Sequence, residues 1–184
     1  WLSARGISRF HLVGHSFGGL VALSLAAANP SSVSSLTVAS APALGLPAEA
    51  KALLATRALD VAARWAARLP VSKRVMGGYL RWMRGGGPVP PEALSLYAES
   101  AAADGYFPGM ADALRSIASY RLPVDALRGA PFRTTVLWGE RDPLVPVVQG
   151  EQLAGALGAQ LRVLHDVGHC VPEERPDAIH DGLG

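Results

Sequence analysis

Short apolar runs and amphipathic stretches alternate at the two ends of the chain but not in its middle. Residues 1–5 read as a helix end, with Gly6 where a left-handed residue closes a helix. Arg9 to Gly14 reads as a short strand through Phe10, Leu12 and Val13. Residues 17–28 open with two glycines and continue through Leu20, Val21, Leu23, Leu25 and a run of alanines. Apolar residues fall on nearly all sides there, which predicts a buried helix ended at Asn29-Pro30. Ser35 to Ser40, through Leu36 and Val38, predicts a second strand. Strands alternating with helices build a parallel sheet with helical crossovers.

From Pro42 to Pro123 the strand signals disappear and Ala- and Arg-rich helices take over. Across residues 49–69 the spacing predicts one apolar stripe of Leu54, Val61, Trp65 and Leu69, beside a charged stripe of Arg57, Asp60, Arg64 and Arg68. Breaks are expected at Leu69-Pro70, at Gly85-Gly86-Gly87 with the prolines after it, and at Asp104-Gly105 through Pro108-Gly109. Alternation then resumes. Phe132 to Trp138 reads as a strand, residues 147–157 as a helix, Leu161 to Leu164 as a strand, and Glu173 onward as a last helix. The middle segment has its own amphipathic pattern and is read as an inserted helical unit, not a linker.

Composition narrows the class. With 184 residues, 49% of them hydrophobic and 17% charged, the chain is a globular domain with an insertion and not a disordered segment. The pI near 9.0 rests on a net charge of only +2, too small and too unclustered an excess to point to nucleic acid. One cysteine, Cys170, excludes an internal disulfide framework and a cysteine-rich zinc site, and leans toward a reducing cytoplasm. Residues 10–48 lack Asp, Glu, Lys and Arg, but Asn29-Pro30-Ser31-Ser32 interrupts them before they could span a bilayer. The eight cations at 51, 57, 64, 68, 73, 74, 81 and 84 face only Glu49 and Asp60 in that part of the insertion. They read first as a solvated face and second as a positive lid. Trp65, Trp82, Met83, Tyr79, Tyr97 and Phe107 read first as the core of the insertion and second as the lining of an acyl pocket.

The chemistry is carried by Gly14-His15-Ser16-Phe17-Gly18, a G-x-S-x-G sequence between a predicted strand and a predicted helix. A serine at so sharp a turn is pushed into the open, and the flanking glycines keep side chains away from the turn and from the next helix. The backbone N–H of Phe17 is then aimed where an oxyanion would develop. A serine hydroxyl needs a base, and the base needs an orienting carboxylate. Asp142 and His169 each lie in a loop directly after a predicted strand, where parallel sheets place their sites. His15 is expected to pack or bond locally, and Cys170 to be a small buried filler. His165, Asp166 and Glu140 are weaker candidates for the base and the acid. His11, His180 and the remaining carboxylates have no metal-ligand spacing, and no cofactor is called for.

Three segments carry a family resemblance. Phe10 to Gly19 resembles the nucleophile elbow of α/β-hydrolases, Trp138 to Pro146 their acid loop, and Asp166 to Pro176 their histidine loop. The chain order Ser16, Asp142, His169 is also theirs. The resemblance implies an α/β fold with a partial hydrolase core of about four parallel strands in 1–40 and 126–184, and a helical cap in 41–125. It implies a cofactor-free hydrolase of small acyl substrates, with Ser16 as nucleophile, His169 as base, Asp142 as its orienting acid and Phe17 as oxyanion donor. A serine nucleophile argues against dehalogenase and epoxide hydrolase chemistry. Carbon–carbon bond hydrolysis, perhydrolysis, acyl transfer and a catalytically impaired or ligand-binding fragment all stay open. The family sheet has eight strands with the elbow after the fifth. The resemblance therefore implies that four strands and a second oxyanion donor lie outside this chain, leaving the elbow strand as an exposed apolar edge.

Overall fold

The computed structural model describes residues 1–45, 48–56, 58–66 and 72–182. Arg57, Arg68, Leu69, Pro70, Leu183 and Gly184 lie outside the described residues. Four strands, β1 (Phe10–His15), β2 (Val33–Ala39), β3 (Arg133–Gly139) and β4 (Gln160–Leu164), pair side by side in that order, all parallel. Helix α1 (Phe17–Ala28) connects β1 to β2, and α8 (Val147–Leu157) connects β3 to β4. Between β2 and β3 come α2 (Ala48–Leu54), α3 (Ala58–Ala66), α4 (Lys73–Met83), α5 (Pro91–Ala101), α6 (Tyr106–Ser119) and α7 (Val124–Leu127). Helices α9 (Val171–Glu174) and α10 (Pro176–Asp181) follow β4. The fold is α/β, with helices on both faces of a parallel sheet.

Alternation along the strands divides the core. Leu36, Val38, Val136 and Trp138 point to one face and pack with Leu20 and Leu23 of α1 and Leu153 of α8. Ala39 and Leu137 point to the other face and pack with Leu164, Val171 and Ala178. The middle strands are covered on both faces, and β2 and β3 are buried nearly throughout, with Ser35, Thr37 and Thr135 among their buried residues. No helix among the described residues is long and apolar enough to cross a membrane.

Helix α1 is not buried all round. Leu20, Ala22, Leu23 and Ala26 face inward, whereas Val21 is 54% exposed and Leu25 40%. The helix packs on β1 and β2, at one edge of the sheet, so its outer side meets solvent. β1 is an edge strand with Val13 partly exposed.

The insertion departs from the pattern in three ways. The helix expected over 49–69 is two helices, because α2 stops at Leu54 and Thr56 turns its hydroxyl back to the Leu53 carbonyl. Arg115 of α6 sits at that break, donating to the Leu54 carbonyl and pairing with Asp60 at 2.5 Å. Asp60 therefore pairs across helices. The apolar stripe does not hold together as a buried face: Leu54 of α2 is buried, but on α3 Val61 and Trp65 are exposed and Ala63 is buried instead. Trp82 is exposed too, and the insertion's core is Met76, Leu80 and Ala101 with Leu94, Tyr97 and Tyr106 around them. At the C-terminal end the expected single helix is broken into α9 and α10 at Arg175, whose φ of −142° and ψ of 67° follow from the proline after it.

The β1–α1 turn is the tightest joint. Ser16 has φ 52° and ψ −124°. A Cβ on Gly14 would stand 2.5 Å from the Gly18 carbonyl oxygen and 2.7 Å from Ala22 Cβ. A Cβ on Gly19 would stand 2.6 Å from Ala41 Cβ, whereas one on Gly18 would meet nothing within 4 Å. The close approach thus belongs to Gly14 and Gly19. Gly18, to which the motif assigns it, points outward.

Two stability measurements follow, both by urea unfolding. Gly14→Ala is expected to lose about 1–3 kcal/mol because backbone has to move, and Gly18→Ala to lose nothing. Leu23→Ala is expected to cost about 2–5 kcal/mol, while Val21→Ala on the outer side of α1 stays within about 0.5 kcal/mol.

Candidate functional site

Each of Ser16, Asp142 and His169 stands just beyond the C-terminal end of a strand, after β1, β3 and β4 respectively. Parallel strands bring those ends to one edge, and the three side chains meet there. His169 Nδ1 lies 2.8 Å from Asp142 Oδ2, and His169 Nε2 lies 2.9 Å from Ser16 Oγ. The carboxylate can only accept, so Nδ1 carries the proton and donates to it. Nε2 is left as the acceptor for the serine hydroxyl, the tautomer a base requires.

Asp142 is fixed by its own loop. The side chain of Asp142 is fully buried, and its second oxygen accepts the backbone N–H groups of Leu144 and Val145, each at 2.9 Å. The buried Trp138 indole donates to the Val145 carbonyl at 2.8 Å and ties that loop to β3. One buried carboxylate therefore receives three donors, which is how a buried charge avoids an unpaired lone pair.

His169 is fixed through its backbone. The His169 N–H donates to the Met83 carbonyl at 2.7 Å, and the His169 carbonyl accepts His15 Nε2–H at 2.7 Å. His15 is thus not engaged locally; it reaches across to the histidine loop. Its position beside Ser16 is visible in the sequence, but its partner is not. Burial holds the His15 pKa below its ordinary 6.5, and repulsion from His169 adds to this, partly offset by the hydrogen bond to the His169 backbone.

The other candidates lie elsewhere. Glu140, His165 and Asp166 are exposed, with His165 Nδ1 2.6 Å from Glu140 Oε2 and Asp166 paired to Arg141. The Asp166 N–H, joined by His165, holds the Glu140 carboxyl below its ordinary range. These three are the only group among the described residues whose ligand atoms lie within 4.8 Å of one another, and all three are at the surface. His11 bonds Ser35 on the neighbouring strand at 2.8 Å. Cys170 is buried, and burial pushes its thiol up to about 12, so it is protonated at neutral pH and chemically quiet.

Backbone strain collects at the same edge. The only described non-glycine residues with positive φ are Ser16, Ser40 and Asp166, one just past the end of each of β1, β2 and β4. Ser40 is fully buried. Nothing in its neighbours in the sequence marks it.

The histidine next to the serine also sets a pH dependence. The unfolded chain protonates His15 near pH 6.5, the folded one only at lower pH. Its contribution to stability is complete above pH 6.5 and is lost as the pH falls below that value toward the folded pKa. Urea unfolding at pH 7.5 and pH 5 checks this: His15→Gln is expected to lose less stability over that interval than wild type.

Comparison with known proteins agrees with this architecture. The profile of the alpha/beta hydrolase family matches residues 2–181. Two Xenopus laevis proteins, monoacylglycerol lipase abhd6-B and abhd6-A, are 31% identical over 178 residues and 30% over 174, covering 91% of this chain. The chain spans about half the length of the curated relatives it matches, 51% in both cases. Among solved structures, the 2-hydroxy-6-oxo-6-phenylhexa-2,4-dienoate hydrolase of Rhodococcus sp. strain RHA1 superposes with a TM-score of 0.73 at 24% identity, covering 98% of this chain and 64% of that one. A thermophilic esterase from Thermogutta terrifontis does so with a TM-score of 0.72 at 22% identity, covering 98% and 65%. With a profile matched over nearly its whole length, this chain belongs to the alpha/beta hydrolase family.

Proposed function

We propose that the chain carries the catalytic triad of a serine hydrolase of small acyl esters, with residues 41–125 as its lid. The observation that carries the reading is the His169 ring, bonded to Asp142 on one side at 2.8 Å and to Ser16 on the other at 2.9 Å. Ser16 Oγ bonds to the acyl carbon as its proton passes to His169 Nε2, and the carbonyl π electrons move onto the oxygen. Asp142 stabilises the imidazolium that forms. The Phe17 N–H, at the first turn of α1, stabilises the oxyanion. Collapse breaks the ester C–O bond, and the leaving alkoxide takes the proton from His169. Water then adds to the acyl-enzyme with His169 as base, and Ser16 leaves with a proton.

Two things support an ester with an apolar acyl group. An apolar groove between α1 and α6, lined by Phe17, Leu20, Val21, Leu25 and Tyr120, includes the residue next to the nucleophile. The curated relatives are named as monoacylglycerol lipases.

A fluorophosphonate probe tests the reading, because it reacts with an activated serine and not with a motif. Labelling is expected in wild type, is abolished by Ser16→Ala, and slows by about 10³–10⁴-fold in Asp142→Asn, where the base is held in the wrong tautomer. A wild type that stays unlabelled would show a ligand-binding member of the fold instead.

A further inference from the structure

The lid touches the base directly. Helix α4 ends at Met83, and its last carbonyls include the one that accepts the His169 N–H at 2.7 Å. Residues 83 and 84 lie so close to the histidine loop that a Cβ on Gly168 would stand 2.5 Å from Met83 O and from Arg84 Cα. The next residue of the lid, Gly85, approaches the acid loop as closely: its Cβ would stand 2.5 Å from that of Arg141. One lid turn is therefore seated on both loops that hold the base and the acid.

A side-chain clamp fastens it there. Arg84 is 7% exposed, and its Nη1 donates to Glu173 Oε2 at 3.3 Å. Glu173 sits on α9, one turn beyond His169, and its other oxygen accepts the Tyr97 hydroxyl of α5 at 2.5 Å. Burial and Glu173 both raise the Tyr97 pKa, so the phenol keeps its proton and stays a donor. A buried guanidinium that loses its carboxylate is left uncompensated, so the pair resists separation. Two helices of the lid thus grip one carboxylate that belongs to the histidine loop.

We propose that Arg84 is a positioning residue for His169, holding the lid turn and the histidine loop as one body so that the pose of the lid sets the reach of the base. The inference rests on the serine hydrolase reading. Its geometry separates it from simple lid packing, because Arg84 is continuous with the carbonyl that bonds the base's own backbone. A displacement of about 1 Å there would cost on the order of 10²-fold in rate.

The test uses a fluorophosphonate labelling rate together with steady-state hydrolysis of p-nitrophenyl butyrate. Arg84→Met is expected to lower the labelling rate and kcat by about 10- to 100-fold with KM within about twofold of wild type, the pattern of a misplaced catalytic group. Arg84→Lys should return to within about threefold, because a single N–H···O contact is all the clamp requires of it. Unchanged kcat in Arg84→Met, or a raised KM alone, would overturn the proposal. Should Arg84→Met not fold, Tyr97→Phe decides, since it removes one hydroxyl: kcat several-fold lower at constant KM supports the proposal, and wild-type kcat overturns it. A wild type that the probe does not label sinks the hydrolase reading and this inference with it. A labelled wild type with an unaffected clamp variant sinks the inference alone.

Discussion

The site depends on how closely α1 can lie against β1. Ser16 occupies a backbone conformation that costs about 1–3 kcal/mol and persists only where the surroundings leave it no alternative. Here the alternatives are closed by contact: Gly14 and Gly19 let the helix down onto β1, β2 and Ala41 beyond β2. The Ser16 N–H is meanwhile taken by the Ala39 carbonyl at 2.9 Å. Once the helix is seated, the serine has one direction in which to point. The parallel order of the strands does the rest, because their C-terminal ends share an edge and residues distant in the chain arrive there together.

From the serine inward, each group is held by the next. Ser16 meets a ring whose orientation is set by Asp142, and Asp142 is set by two backbone N–H groups and a loop tied to Trp138. Little of this chain of contacts reaches water: the His169 and Asp142 side chains are 3% and 0% exposed. In so apolar a setting hydrogen bonds are strong when complete and destabilising when one is missing. Backbone donors are well suited to the outer positions, since they lose no side-chain entropy on being fixed.

The sequence was most legible where one local rule decided the outcome. Phe17–Ala28 and Val147–Leu157 match the expected helices residue for residue, because Ser16 and Asn29, and Pro146 and Gly158, leave few choices of boundary. Ser16, Asp142 and His169 could be singled out because strand-then-loop spacing is written locally. Orientation was another matter. Two stripes on α3 were visible, yet neither turns inward: Val61, Trp65 and Arg64 are exposed, while Ala63 between them is buried and Asp60 pairs with Arg115 of another helix. Likewise G-x-S-x-G names glycines without saying which one meets the sheet, and the answer, Gly19, lies just outside the motif. The contact between Met83 and His169 has no sequence signal, since any residue supplies a carbonyl. The break at Arg175 is different, because Pro176 is a local signal that holds the residue before it out of the helical region.

The insertion leaves the sheet after Ala39 and returns at Arg133, and the two strands it joins are hydrogen-bonded neighbours. To the sheet it is a closed loop whose ends stay in place whatever is hung between them. Closing such a loop costs only about 0.6 kcal/mol more for each doubling of its length. Helices between those two points can therefore be lengthened, shortened or exchanged between relatives with little penalty to the core. What such a graft has to preserve is small: a turn that fits over Gly168, offers one carbonyl to the N–H of His169 and keeps a cation against Glu173.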